Sequence, residues 1–137
     1  MNLLKIHYTA ILLVLVAISL NAGATIAEPG LSASSNGDNV FVTWQTLEET
    51  NLKHFIVQRS TQKYGTFTDI GIVLPEKDMY YEFIDETAYK TSGTIYYYRV
   101  AIVEIDGDVT YSDEVTVLHD NISGVKKTWG SIKALFR

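Results

Sequence analysis

No cysteine occurs in the 137 residues. Disulfides, thiolate nucleophiles and Cys-ligated zinc are therefore excluded, as is a lipoprotein anchor, which needs a lipidated cysteine. Histidine is scarce: His7, His54 and His119 are the three, and neither a His-x-x-x-His pair nor a Ser-His-Asp spacing links them. The expectation is a protein that is not an enzyme and uses no cofactor or metal. Long apolar runs are missing too. The stretch Ala10 to Leu20 (AILLVLVAISL) has eleven residues, too short to span a bilayer comfortably, which takes about 20.

That stretch has another use. Lys5 supplies a basic start, Ala10 to Leu20 an apolar centre, and Ala22-Gly23-Ala24 a small-x-small cleavage site. The pattern reads as a secretory signal peptide over 1–24, helical and set apart from the mature fold, with an uncleaved anchor as the alternative. Past it, residues 25–120 carry six Lys and Arg against sixteen Asp and Glu, a balance of −10. Residues 121–137 carry Lys126, Lys127, Lys133 and Arg137 and no acid, a balance of +4. An acidic body repels phosphates, which argues against nucleic acid as its partner.

The body reads as strands. Glu28-Pro29-Gly30 suits a linker over 25–30, followed by a short strand at Leu31 to Ser35 and the turn residues Asn36-Gly37-Asp38. In NVFVTWQT, Val40, Val42 and Trp44 share one face and Phe41, Thr43 and Gln45 the other. Further strands fit His54 to Ser60, Thr66 to Val73 and Tyr80 to Asp85. A long hairpin closes the series, with Ile95 and its successors running into Asp106-Gly107-Asp108 and a last strand from Val109 to Leu118. Seven strands with regular turn signals and no convincing helix predict an all-β, seven-stranded immunoglobulin-like β-sandwich. Trp44, Phe55, Phe83, Tyr96 and Tyr98 are the expected core.

Several motifs occur in order: Thr46, Glu49 and Asn51; Phe55, Val57, Arg59 and Ser60; Tyr81, Phe83 and Asp85; Tyr97, Tyr98 and Arg99; Tyr111 and Ser112. With these, residues 31–118 resemble the fibronectin type III-like domains of exported Bacteroidetes proteins. One departure is Glu104-Ile105-Asp106-Gly107, with Glu104 where that pattern carries Asp. The resemblance implies a spacer or adhesion module without an active site, with Tyr96 as a corner tyrosine whose hydroxyl bonds back to the backbone. Relatives of this kind often precede a C-terminal sorting domain, and about 19 residues after Leu118 are too few for one. The expectation is an exported protein, periplasmic rather than on the cell surface.

Few residues invite chemistry. Glu48, Glu49 and Asn51 share a loop, and the plainer reading has Glu49 and Asn51 holding it by side chain–backbone hydrogen bonds rather than binding calcium. His54 reads as a solvent-facing strand residue. Of Tyr96, Tyr97 and Tyr98, alternation leaves only Tyr97 on the outer face. The tail 119–137 stands apart. On a helix, Val125, Trp129, Ile132 and Phe136 line one side, and Lys126, Lys133 and Arg137 another. Lys126, Lys127, Trp129, Ile132, Lys133, Phe136 and Arg137 are thus the candidate contacts to an envelope protein or an anionic membrane surface. Packing on the acidic body and disorder are the alternatives. Three functions stay open: a non-catalytic interaction module docking through this tail, a carbohydrate-binding or adhesion protein using the outer face near Tyr97, and a structural accessory subunit.

Overall fold

The computed structural model describes residues 23–88 and 93–120. The expected signal-peptide helix and all the candidate tail contacts, Lys126 to Arg137, lie outside the described residues. So does the segment 89–92, just before the corner-tyrosine position Tyr96.

Among the described residues there are nine strands and no helix: β1 (Thr25–Ile26), β2 (Ser32–Ser35), β3 (Val40–Glu48), β4 (Leu52–Ser60), β5 (Thr68–Val73), β6 (Tyr80–Asp85), β7 (Thr94–Glu104), β8 (Val109–Tyr111) and β9 (Val115–His119). All pairings are antiparallel and form two sheets. One sheet has β3 at its centre, with β6 on one edge and both β1 and β2 on the other. The other runs β5, β4, β7, with β8 and β9 sharing the far edge of β7.

The count differs from the expected seven because two strands are each interrupted. Residues 25–30, read as a linker, instead begin the sandwich: Thr25 and Ile26 pair with β3, and Ala24, read as the end of the set-apart signal peptide, is buried in the core. A turn through the cis Glu28–Pro29 bond, closed by Gly30 N–H donating to Ala27 O at 2.8 Å, separates β1 from β2. The expected strand from Val109 to Leu118 is likewise cut at Ser112–Glu114 into β8 and β9. At the tip of the β7–β8 hairpin, Gly107 has φ of 98° and Glu104 N–H donates to Asp108 O at 2.9 Å. A type I turn followed by a left-handed glycine is the favoured three-residue hairpin connection.

The core lies between the sheets, and the period-2 pattern decides what enters it. Val40, Val42 and Trp44 from β3 meet Phe55 and Val57 from β4 and Tyr96, Tyr98, Val100 and Ile102 from β7. Trp44 stacks on Tyr81, its partner across β3–β6, at 5.3 Å between centroids. Phe55, from the opposite sheet, meets both rings edge-on at 5.4 Å and 4.8 Å. Each such side chain removed from water stabilises the fold by about 1.5–3 kcal/mol. Phe83 joins this core only in part, since it packs over Gly71, where a Cβ would meet its ring at 2.2 Å.

Candidate functional site

Between the sheets, the polar side chains bond one another. Arg59 on β4 reaches across to Asp85 at the end of β6, Nη1 to Oδ2 at 2.5 Å. Asp85 also accepts from Tyr98 Oη at 2.8 Å, and its other oxygen accepts from Thr87 N–H at 2.9 Å and Thr87 Oγ1 at 2.8 Å. The guanidinium of Arg59 lies 5.2 Å from the centroid of the Tyr96 ring. Burial works to raise the Asp85 pKa, but the bonds from Thr87, Tyr98 and Arg59 outweigh it and hold the carboxyl below its usual range. The same burial, with Asp85 as acceptor, pushes the Tyr98 hydroxyl far up. Asp85 is charged, desolvated and satisfied, which makes it a clamp between sheets rather than a free acid.

The loop between β3 and β4 is a second such anchor. Glu49 Oε1 accepts from Thr46 Oγ1 at 2.6 Å and from the Tyr81 hydroxyl. Tyr81 Oη in turn accepts from Glu76 N–H at 3.0 Å. Desolvation, followed by the bond to Glu49, pushes the Tyr81 hydroxyl up to about 12. Glu49 therefore holds its loop by side chain–side chain bonds, in place of the backbone bonds anticipated. Asn51 acts through its backbone: its φ is 61°, and its carbonyl accepts from Ile105 N–H at 2.8 Å. No three His, Asp or Glu side chains converge as a metal site among the described residues.

Ser112 repairs the break between β8 and β9. Its N–H donates to Val100 O at 2.9 Å, and its Oγ accepts from Val100 N–H at 2.9 Å, replacing a missing carbonyl. His119, expected beyond the last strand, is instead its final residue and fully buried. Its Nδ1 lies 2.7 Å from Ser35 Oγ, which ties β9 to β2. Its Nε2 has no partner among the described residues.

What remains for recognition is outside. On the outer face of the five-stranded sheet, Ile72, Ile56, Ala101 and Tyr111 form one cross-strand row, with Val103 and Val109 beside it. Ile72 and Tyr111 are 65% and 54% exposed. In the neighbouring row the Arg99 guanidinium lies 4.2 Å from both the Phe67 and the Tyr111 ring centroids. Arg99 Nε donates to Gln58 Oε1 at 2.7 Å, and Gln58 Nε2 donates to Asp69 Oδ1 at 2.6 Å. Tyr97 sits on this face opposite Thr116 and Ser60, half-buried, and His54, also half-buried, stands opposite Val103. Tyr96 and Tyr98 point inward, at 2% and 0% exposure. Arg99 and Tyr111 belong to two of the ordered motifs, but Phe67 belongs to none, and the stack joins three separate segments that no local pattern connects.

A second outer feature is a groove of about 880 Å³ between β1 and β8. It opens where the sandwich edge is not closed by β2 and β9. Among the described residues its walls carry Glu28, Glu104, Asp106, Asp108, Asp113 and Glu114 and no Lys or Arg.

No family model matches the chain, and no curated protein does. Among solved structures it is similar to a Fn3-like protein from Clostridium thermocellum, at 28% sequence identity and a TM-score of 0.50, covering 64% of this chain and 85% of that one. The fold is fibronectin type III-like. Two antiparallel sheets and this neighbour both support that statement, and neither bears on a Bacteroidetes grouping.

Proposed function

We propose that this chain is a non-catalytic interaction module of the fibronectin type III kind, exported to the periplasm of a Bacteroidetes-type cell. Its sheet face and its basic aromatic tail dock it to an envelope protein or an anionic membrane surface. The observation that carries the reading is the outer face of the five-stranded sheet. There, exposed Ile72, Val109 and Tyr111 adjoin an arginine held between two rings. Exposed apolar surface with aromatic and Arg anchors is the composition of protein–protein contact surfaces. The buried Asp85 and His119, in contrast, tie one sheet to the other.

Co-purification from the native envelope tests this. The full chain captures a defined partner or sediments with phosphatidylglycerol vesicles, and Arg99→Glu or charge reversal of Lys126, Lys127 and Lys133 reduces that capture. A full chain that captures nothing and stays off vesicles contradicts the proposal. The carbohydrate reading has one observation in its favour, the half-buried Tyr97 on the same outer face. It is weakened because Arg99 already covers one face of each neighbouring ring. Glycan binding that is lost in Tyr97→Ala and kept without the tail charges would favour it.

A further inference from the structure

The groove between β1 and β8 has two unused strand edges. In the β7–β8 ladder Glu104 N–H donates to Asp108 O and Ser112 N–H to Val100 O. Thr110 thus faces β7, and the backbone N–H and C=O of Val109 and Tyr111 point away from it, by the alternation of an antiparallel pair. Across the groove, Ala27 N–H donates to Gln45 O, so the backbone of Ile26 turns away from β3. Among the described residues β1 and β8 each pair on one side only. An extended segment laid here would find hydrogen-bonding groups, an apolar floor of Ile26, Leu31, Ile102 and Val115, and a rim of six carboxylates.

We propose that the occupant is the chain's own residues 121–137. Charge complementarity supports it, since that segment has four cations, no acid, and Trp129 and Phe136 for the apolar floor. Length supports it as well. The last residue of β9 pairs with Thr94, and the groove faces Ile102 at the other end of β7. Those eight residues of β7 span about 26 Å at roughly 3.3 Å per residue. The 17 residues of the segment reach about 56 Å when extended. The segment is therefore long enough to reach the groove. The proposal rests on the docking reading only in taking 121–137 as the docking element. It adds that the acidic groove is the internal competitor for that element.

Carbodiimide coupling of Lys to carboxylate in the full chain tests it, using a mixture of nitrogen-15-labelled and unlabelled protein. Lys126, Lys127 or Lys133 should couple within one chain to the groove carboxylates, and the coupling should be lost in high salt. Coupling spread to Asp69, Glu82 and Glu86, no coupling, or coupling between labelled and unlabelled chains overturns the proposal, the last in favour of a second copy. Amide exchange is the second arm. Val109 and Tyr111 should be protected in the full chain and become fast in Lys126→Glu/Lys127→Glu/Lys133→Glu, while Val100 stays slow. Fast exchange of Val109 and Tyr111 in the unaltered chain, or no change in the variant, also overturns it. Coupling without vesicle or partner binding sinks the docking reading alone; binding without coupling sinks the groove cover alone.

Discussion

The two faces of the five-stranded sheet use arginine in opposite ways. Arg59 points inward from β4, and its charge meets Asp85, a carboxylate with almost no exposure, across the sandwich. Arg99 points outward from the neighbouring β7, and its charge meets the faces of Phe67 and Tyr111. Removing one partner of a desolvated pair strands the other, at about 3–5 kcal/mol. An exposed guanidinium over a ring contributes about 0.5–1 kcal/mol. Inner polar residues therefore hold the fold, while outer ones can change without unfolding it.

The largest effect should come from the inner face. Trp44→Ala removes the ring that contacts both Tyr81 and Phe55, a loss of about 3–5 kcal/mol. Native domains are stable by only 5–15 kcal/mol, so the variant should be unfolded or nearly so by circular dichroism. A melting temperature within a few degrees of the parent would show that the aromatic cluster is not the core.

Arg59→Met should come close behind, because Asp85 then has only Thr87 and Tyr98 to hold its charge; urea unfolding reads the loss, about 3 kcal/mol. This pair also makes a pH-dependent contribution to stability. The Asp85 pKa lies lower folded than unfolded, so the stabilisation is complete above its ordinary value of 3.8 and disappears as the pH falls through the folded value. In Asp85→Asn the stability between neutral pH and pH 3 should fall less steeply than in the parent. Equal slopes would remove Asp85 from the account.

Ser112→Ala should cost about 1 kcal/mol, since Val100 N–H loses its acceptor at the break in the last strand. Smallest in stability is Arg99→Ala, at about 0.5–1 kcal/mol.

The faces were legible in the sequence and the pairing was not. Alternation in VFVTWQT and in IYYYRVAI assigns Val40, Val42, Trp44, Tyr96 and Tyr98 to the interior, because a strand has only two sides. The Arg59–Asp85 clamp joins residues 26 apart on different sheets, a contact that no local period encodes. The breaks in the first and last strands escaped for another reason. At Ser112 a side-chain oxygen takes over a carbonyl's role, so the residue pattern reads as a continuous strand. The burial of His119 is not visible in its local pattern, since its partner Ser35 lies at the other end of the fold. The open groove between β1 and β8 follows from these same breaks.

The contrast between the faces is tested most directly by Arg99→Glu in the full chain, followed by melting and by co-purification from the native envelope. A melting temperature close to the parent's together with loss of the captured partner is the expected result. A folded variant that keeps its partner, or one that unfolds as Arg59→Met does, would contradict it.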